Sequence, residues 1–461
     1  MQLTIQEILS ETGGKCLNNQ EYGNTIIENI LTDSRQKVNK GLFIPLMGEK
    51  FDGHDYINQV YSRGAIATLT AKQEVIDNRL ITIYVEDTRE ALLSLAKYYN
   101  QKFIRPIIAI TGSVGKTTTK EMVTSVLETA FKVHKTVGNF NNDIGVPKTI
   151  FSLSEDDQVS VIEMGMNHFG EISQLTKTVK PDFAVITNIG TAHIENLGSR
   201  EGILKAKLEI LDGLQSNGKV IVNGDEPLLF DIKQDNWITV GLHPKVDFNA
   251  SLDYFATNIV SYNKMTKAIV YTPTSEFLIK IPAPGKHMVR NALVAICIAE
   301  QLGISKENII KGIANYKPEK MRMQIITVNE ITIIDDTYNA SYDSMEAAID
   351  VLELYLPRNN RVAILGDIFE LGDFSEQIHR NIGEYIADHT IDCLYTIGNF
   401  ARYINEAVVS STNRIYTKHF DNKEIFIKEL NTHIKPGDTI LVKASRGMNF
   451  EEIVGAMRKE K

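Results

Sequence analysis

A chain of 461 residues with 43% hydrophobic and 23% charged side chains has the make-up of a soluble globular protein, too long for one core, and about three domains are expected. A formal net charge of −9 without a basic cluster argues against nucleic-acid or membrane-surface partners, yet leaves anionic small molecules open, because a site needs only a local positive field. The N-terminus reads as no signal peptide, no apolar run approaches the roughly 20 residues of a membrane span, and Cys16, Cys297 and Cys393 are too scattered for a disulfide framework, which points to the cytoplasm.

In chain order, residues 1–100 hold short segments and the turn-rich "DSRQKVNKGLFIPLMGEKFDGHDY", expected as a small N-terminal α/β domain. From 101 the pattern becomes strand then helix: "PIIAIT" into "KTTTKEMVTSVLETA", then "VSVIEMG", "DFAVITNIG" and "GKVIVNGDE". Apolar strands alternating with amphipathic helices predict a mostly parallel sheet covered on both faces. Residues 246–282 alternate as antiparallel strands do and are expected as an appendage on this central domain, 101–318. "HMVRNALVAICIAEQLG" predicts an apolar helix ending at glycine. After "YKPEK" a fresh alternation ("EITIIDD", "RVAILGD", "CLYTIG", "RIYTK", "DTILVKAS") predicts a C-terminal α/β domain of Rossmann-like type over 319–461. It carries no G-x-G-x-x-G, so a dinucleotide is unsupported there.

The chemistry is concentrated in "IIAITGSVGKTTTKEM". A strand breaks at glycine, Gly-Lys-Thr follows, and a helix begins, as in a phosphate-binding loop; but Gly112 and Gly115 enclose two residues instead of the usual four, and Ile110 holds the earlier glycine position. Lys116 can reach the β- and γ-phosphates and the Thr117 hydroxyl can ligate Mg²⁺. Glu163 is an acid at the C-terminal end of an apolar strand, where open α/β sheets place ligands, although alone it is equally a surface acid. His193 follows another strand and can hold a second cation, but a lone histidine is more often structural; Lys207, on the helix after it, would by itself face solvent.

The set "TGSVGKTTTKEM", "GNFNNDIGVP", "EMGMNHFGEI", "NIGTAHIENLGSREGILKAK", "GKHMVRNALVA" and "IIDDTYNASYDSM" resembles the Mur ligases of peptidoglycan synthesis, in collinear order over essentially the whole chain. "GNFNNDIGVP", "EMGMNHFGEI", "DDTYNA" and "LGDIFELG" are similar to the branch that joins D-alanyl-D-alanine to UDP-N-acetylmuramoyl-tripeptide. The resemblance implies ATP, with Gly112, Ser113, Val114, Gly115, Lys116, Thr117 and Thr118 around its phosphates. It implies one magnesium on Thr117 and Glu163, and a second on His193 and a carbamylated Lys207, with Lys205 the alternative to Lys207. Asn291 resembles the adenine contact, with His287 close by; Arg322 the arginine that reaches the γ-phosphate; Asp336 the ribose contact. Lys116, His193, Lys207 and Arg322 form the implied catalytic set.

For the other substrates, Ser34 and Arg35 resemble contacts to the UDP pyrophosphate or uracil side. Asn142, Asn339, Asp367 and Lys443 are expected toward the peptide stem or the dipeptide. One departure is Ser341-Tyr342, where many relatives carry Asn-Pro. The implied reaction passes through an acyl phosphate in a monomer that closes about hinges near 100 and 318. Rival readings are another ligase of the superfamily, or a P-loop module that hydrolyses nucleotide without forming a bond; the N-K-x-D signature of a guanine switch is absent.

Overall fold

The computed structural model describes residues 1–18, 22–234, 236–242 and 252–459. At its centre lies a nine-stranded sheet. From one edge its strands run Val133–Lys135, Val159–Glu163, Ile107–Thr111, Phe183–Ile186, Lys219–Asn223, Trp237–Gly241 and Tyr254–Tyr262, all parallel, then Met265–Tyr271 and Glu276–Ile281, antiparallel. Ile107–Thr111 is buried along its whole length because helices cover both faces, which is why it reads as an unbroken β-branched run. Lys116–Leu127 and His287–Gln301 cover one face through Met122, Val126, Val289, Leu293 and Ile296. Gly145–Phe151 and Glu171–Val179 belong to the other face, where Val146, Ile150 and Ile172 share a core with Leu92 and Leu95 of the helix Thr88–Gln101.

The expected antiparallel appendage is instead the far wing of this sheet. Phe277, Ile279 and Ile281 alternate inward to the same core as the helix His287–Gln301, so the wing has a hydrophobic reason to stay attached. Residues 246–251 of that expectation lie outside the described residues.

The N-terminal part holds a five-stranded sheet in the order Lys15–Cys16, Ile81–Tyr84, Ala65–Thr70, Gly41–Phe43, Asn29–Leu31, with only Lys15–Cys16 antiparallel. The C-terminal part is a six-stranded sheet in the order Gln324–Val328, Ile331–Asp335, Thr439–Lys443, Arg361–Gly366, Cys393–Ile397, Tyr416–Phe420. Its five parallel strands are those expected, and each joins a helix or a short helical turn. Gln324–Val328 is an addition, an antiparallel edge strand hairpinned to Ile331–Asp335 through Asn329 and Glu330 at φ 48° and 62°. Two successive left-handed residues suit a tight hairpin, but Asn-Glu lacks the glycine that makes such a turn legible. The architecture is α/β with three domains.

Candidate active site

In the central sheet, Ile107–Thr111 is hydrogen-bonded between Val159–Glu163 and Phe183–Ile186. Three adjacent strand ends therefore deliver Gly112, Glu163 and the turn Thr187–Gly190 to one edge, the position at which open α/β sheets bind ligands. Gly112, at φ 148°, packs so closely on Thr187 that a Cβ there would overlap the Thr187 hydroxyl. The loop is pinned from that side. Asn188 Oδ1 accepts from the Val114 N–H at 2.8 Å, its carbonyl accepts from the Ser113 N–H at 3.2 Å, and the Thr187 hydroxyl donates to the Val114 carbonyl at 2.6 Å. Gly115, at φ 84°, then starts the helix that carries Lys116 and Thr117. Lys116 Nζ folds back to the Gly112 carbonyl at 2.8 Å, across the mouth of the turn. Burial lowers the Lys116 pKa, Glu163 opposes that shift and Arg322 adds to it.

Glu163 is 2% exposed. Its Oε1 accepts from Asn141 Nδ2 at 2.9 Å, while its Oε2 is buried with no hydrogen-bond partner. An anionic oxygen left this way beside a phosphate loop is a fitting cation ligand. His193 sits in the left-handed region at φ 64°, with Nδ1 2.5 Å from Glu370 Oε2 of the C-terminal part. Lys207 is buried, and among the described residues no side-chain hydrogen bond or ion pair reaches it. Burial, and secondarily the Lys116 charge, hold its pKa well below the ordinary lysine value.

On the helix His287–Gln301, Asn291 Oδ1 accepts from the Thr119 hydroxyl at 3.0 Å and faces Gly115, which leaves the amide Nδ2 with only the Met288 sulfur at 3.9 Å. His287 is driven by burial to a pKa of about 4 and is neutral near pH 7. In the segment that leads into the C-terminal sheet, Arg322 lies 3.9 Å from the centre of the Tyr338 ring, with Nε buried and, among the described residues, without a hydrogen-bond partner. Met321 and Met323 on either side have φ of 62° and 49°, and Asp336 Oδ1 accepts from the Met323 N–H at 3.1 Å. Asp336 Oδ2 is paired with Lys443, whose Nζ also reaches the Asn339 carbonyl at 2.9 Å.

These groups line one cleft of about 910 Å³ between the central and C-terminal sheets. Of the expected residues it gathers Ser113 to Thr118, Asn142, Glu163, His193, His287, Asn291, Arg322, Asp336, Asn339 and Lys443.

Descriptions of three family domains match the chain: Mur ligase family, catalytic domain over 26–100, Mur ligase middle domain over 110–299, and Mur ligase, glutamate ligase domain over 321–446. The UDP-N-acetylmuramoyl-tripeptide--D-alanyl-D-alanine ligase of Bacillus subtilis (strain 168) is 39% identical, over 98% of this chain and 97% of its own. The chain belongs to the Mur ligase family. A crystal structure of MurF from Acinetobacter baumannii superposes with a TM-score of 0.91 at 33% identity, covering 100% of this chain and 99% of that one. MurF ligase from Thermotoga maritima in complex with ADP superposes at 0.82 with 28% identity, over 94% and 97% of the two chains.

Not every residue expected of a Mur ligase meets at the cleft. Gly112 and Lys207 are buried and do not line it. Asp367 is turned away: its carboxylate accepts from the backbone N–H groups of Asn399, Phe400 and Ala401 at 3.0, 2.9 and 2.7 Å, ahead of the helix Arg402–Ser411. A buried carboxylate with both oxygens engaged by backbone N–H groups this way is a helix-end anchor. Ser34 and Arg35 lie apart on the N-terminal part. Arg35 is 87% exposed at its side chain and paired with Asp33 at 2.8 Å, holding that carboxyl at about 2. Lys205 stacks over the Phe169 ring at 5.7 Å. Residues the sequence left unmarked include Asn141, Asn188 and Glu370, which position expected residues: Asn141 by a hydrogen bond to Glu163, Asn188 by hydrogen bonds to Ser113 and Val114, and Glu370 by an ion pair with His193. Only the geometry distinguishes them from other polar loop residues.

Proposed function

We propose that this chain is the ATP-dependent ligase that joins D-alanyl-D-alanine to UDP-N-acetylmuramoyl-tripeptide in peptidoglycan precursor synthesis. The observation that carries it is full-length similarity to ligases of that name, coupled to a phosphate loop that opens into the same cleft as Arg322. A cytoplasmic monomer with domain limits near 100 and 318 accompanies this proposal.

A carboxylate resists attack by an amine because oxide is a poor leaving group, and phosphate is a good one. Phosphorylating the tripeptide's terminal carboxylate from ATP makes an acyl phosphate; the dipeptide amine then adds and phosphate departs. The obstacle is repulsion between the carboxylate and the γ-phosphate. Lys116 and Arg322 supply positive charge at that place, already oriented by the Gly112 carbonyl and the Tyr338 ring. Asn291, its Oδ1 facing Gly115 and its amide Nδ2 held only by a long contact to the Met288 sulfur, suits a purine base.

Magnesium suits this donor set. Thr117 and Glu163 would hold one ion, whose chemistry is to neutralise charge on the phosphates. His193 Nδ1 lies at ion-pair distance from Glu370 Oε2, which would leave its other nitrogen to bind a cation. Lys207, buried and, among the described residues, lacking a side-chain partner, suits carbamylation, because burial favours the neutral amine that adds to CO₂ and the carbamate offers anionic oxygen.

The test is incubation with Mg²⁺, ATP, D-alanyl-D-alanine and UDP-tripeptides bearing lysine or diaminopimelate, read by mass spectrometry. The expected product is the tripeptide plus dipeptide minus water, with multiple-turnover ADP release only when both acceptors are present. ADP release indifferent to the UDP-tripeptide would favour the hydrolysing module instead.

A further inference from the structure

Lys120 lies four residues after Lys116 on the same helix and so on the same face, but it points into protein. Its side chain is fully buried. Its Nζ donates to the Thr136 carbonyl at 2.9 Å and stands 3.1 Å from Glu121, 3.7 Å from Glu319 and 3.9 Å from Glu163 Oε2. A charge taken out of water needs counter-charge, and three carboxylates around one nitrogen explain why a lysine is tolerated there.

The distances are unequal, and the inequality matters. Glu163 Oε1 is fixed by Asn141, whereas Oε2 feels Lys120 at ion-pair range but beyond hydrogen-bond length. Its electron pairs are therefore not consumed. Glu319 belongs to the segment that enters the C-terminal sheet, and its carbonyl accepts from the Arg322 N–H at 3.3 Å. Lys120 thus touches the carboxylate proposed to hold magnesium and the segment that presents the γ-phosphate arginine.

We infer that Lys120 is a positioning residue: its buried charge fixes Glu163 with Oε2 free for a divalent cation, and ties that carboxylate to the Glu319–Arg322 segment. This rests on the assignment of Glu163 as a cation ligand, and the experiment separates the two. Free Mn²⁺ is followed by electron paramagnetic resonance as it is titrated into full-length protein with ADP, for wild type, Glu163→Gln, Lys120→Met, Lys120→Gln and Lys120→Arg. Lys120→Gln keeps a donor for the Thr136 carbonyl while removing the charge, and it serves if Lys120→Met does not fold. Glu163→Gln and both neutral Lys120 variants are expected to weaken Mn²⁺ about 10- to 100-fold. Lys120→Arg recovers most of that loss, and metal-free ADP affinity stays unchanged in the Lys120 variants. Weakened binding in Glu163→Gln with wild-type binding in Lys120→Gln would leave Lys120 a purely structural ion pair and overturn the inference. Wild-type Mn²⁺ binding in Glu163→Gln would remove the assignment of Glu163, and the inference with it.

Discussion

Gly112 carries the most demanding requirement of any single position in the site. At φ 148° with the Thr187 hydroxyl against it, the residue can have neither a side chain nor an ordinary backbone angle. Gly112→Ala is expected to retain the fold at a cost of about 1–3 kcal/mol and to lose ADP affinity by an order of magnitude or more, read by calorimetry. Affinity equal to wild type would mean that the turn does not grip the phosphates. This requirement is legible in the sequence because a glycine, a lysine and a threonine at fixed spacing after a strand admit few other uses. Asp367 and Arg35 are the opposite case. Each is a charged residue in a loop, and nothing in the chain says whether the partner will be a ligand or, as the structure shows, backbone N–H groups and Asp33.

Among the elements, the anchoring of the helix Arg402–Ser411 by Asp367 makes a separable prediction. Asp367→Ala should lower stability by about 2 kcal/mol in denaturant melts while leaving KM for the dipeptide within about twofold. A large rise in that KM with stability intact would return Asp367 to the substrate. Glu7 staples the helix Ile5–Thr12 to the helix Thr88–Gln101, accepting from Lys102 at 2.5 Å and from the Tyr98 hydroxyl at 2.7 Å. Burial raises its pKa, but Lys102, Thr4 and Tyr98 outweigh burial and bring it from 4.5 to about 2. The folded state thus binds this proton less tightly than the unfolded chain. The stabilisation is complete above pH 4.5 and is lost as pH falls toward about 2. Glu7→Gln should cost about 1–2 kcal/mol at neutral pH, and the gap from wild type should close across that window in thermal melts; a gap that persists there would refute the staple. Most elements are legible because buried parallel strands are unbroken apolar runs. The edge strand Gln324–Val328 is not, since it is only partly buried and its turn lacks glycine.

For the whole molecule, the arrangement explains why a ligase of this kind needs more than one sheet. The loop proposed to hold phosphate belongs to the central domain, while Arg322, Asp336 and Lys443 come from the C-terminal one, so the cleft exists only where the two meet. His193 against Glu370, and the Glu195 N–H donating to the Glu370 carbonyl at 3.2 Å, are contacts across that junction. No sequence pattern announces such pairings, because they join loops far apart in the chain. The central claim is that this shared cleft moves phosphate from ATP to the tripeptide's carboxylate before nitrogen attacks. Its most direct test is ligation with UDP-tripeptide carrying ¹⁸O in the terminal carboxylate, followed by mass spectrometry of the released phosphate. One ¹⁸O per phosphate is the expected result; phosphate free of label, alongside amide product, would contradict the account.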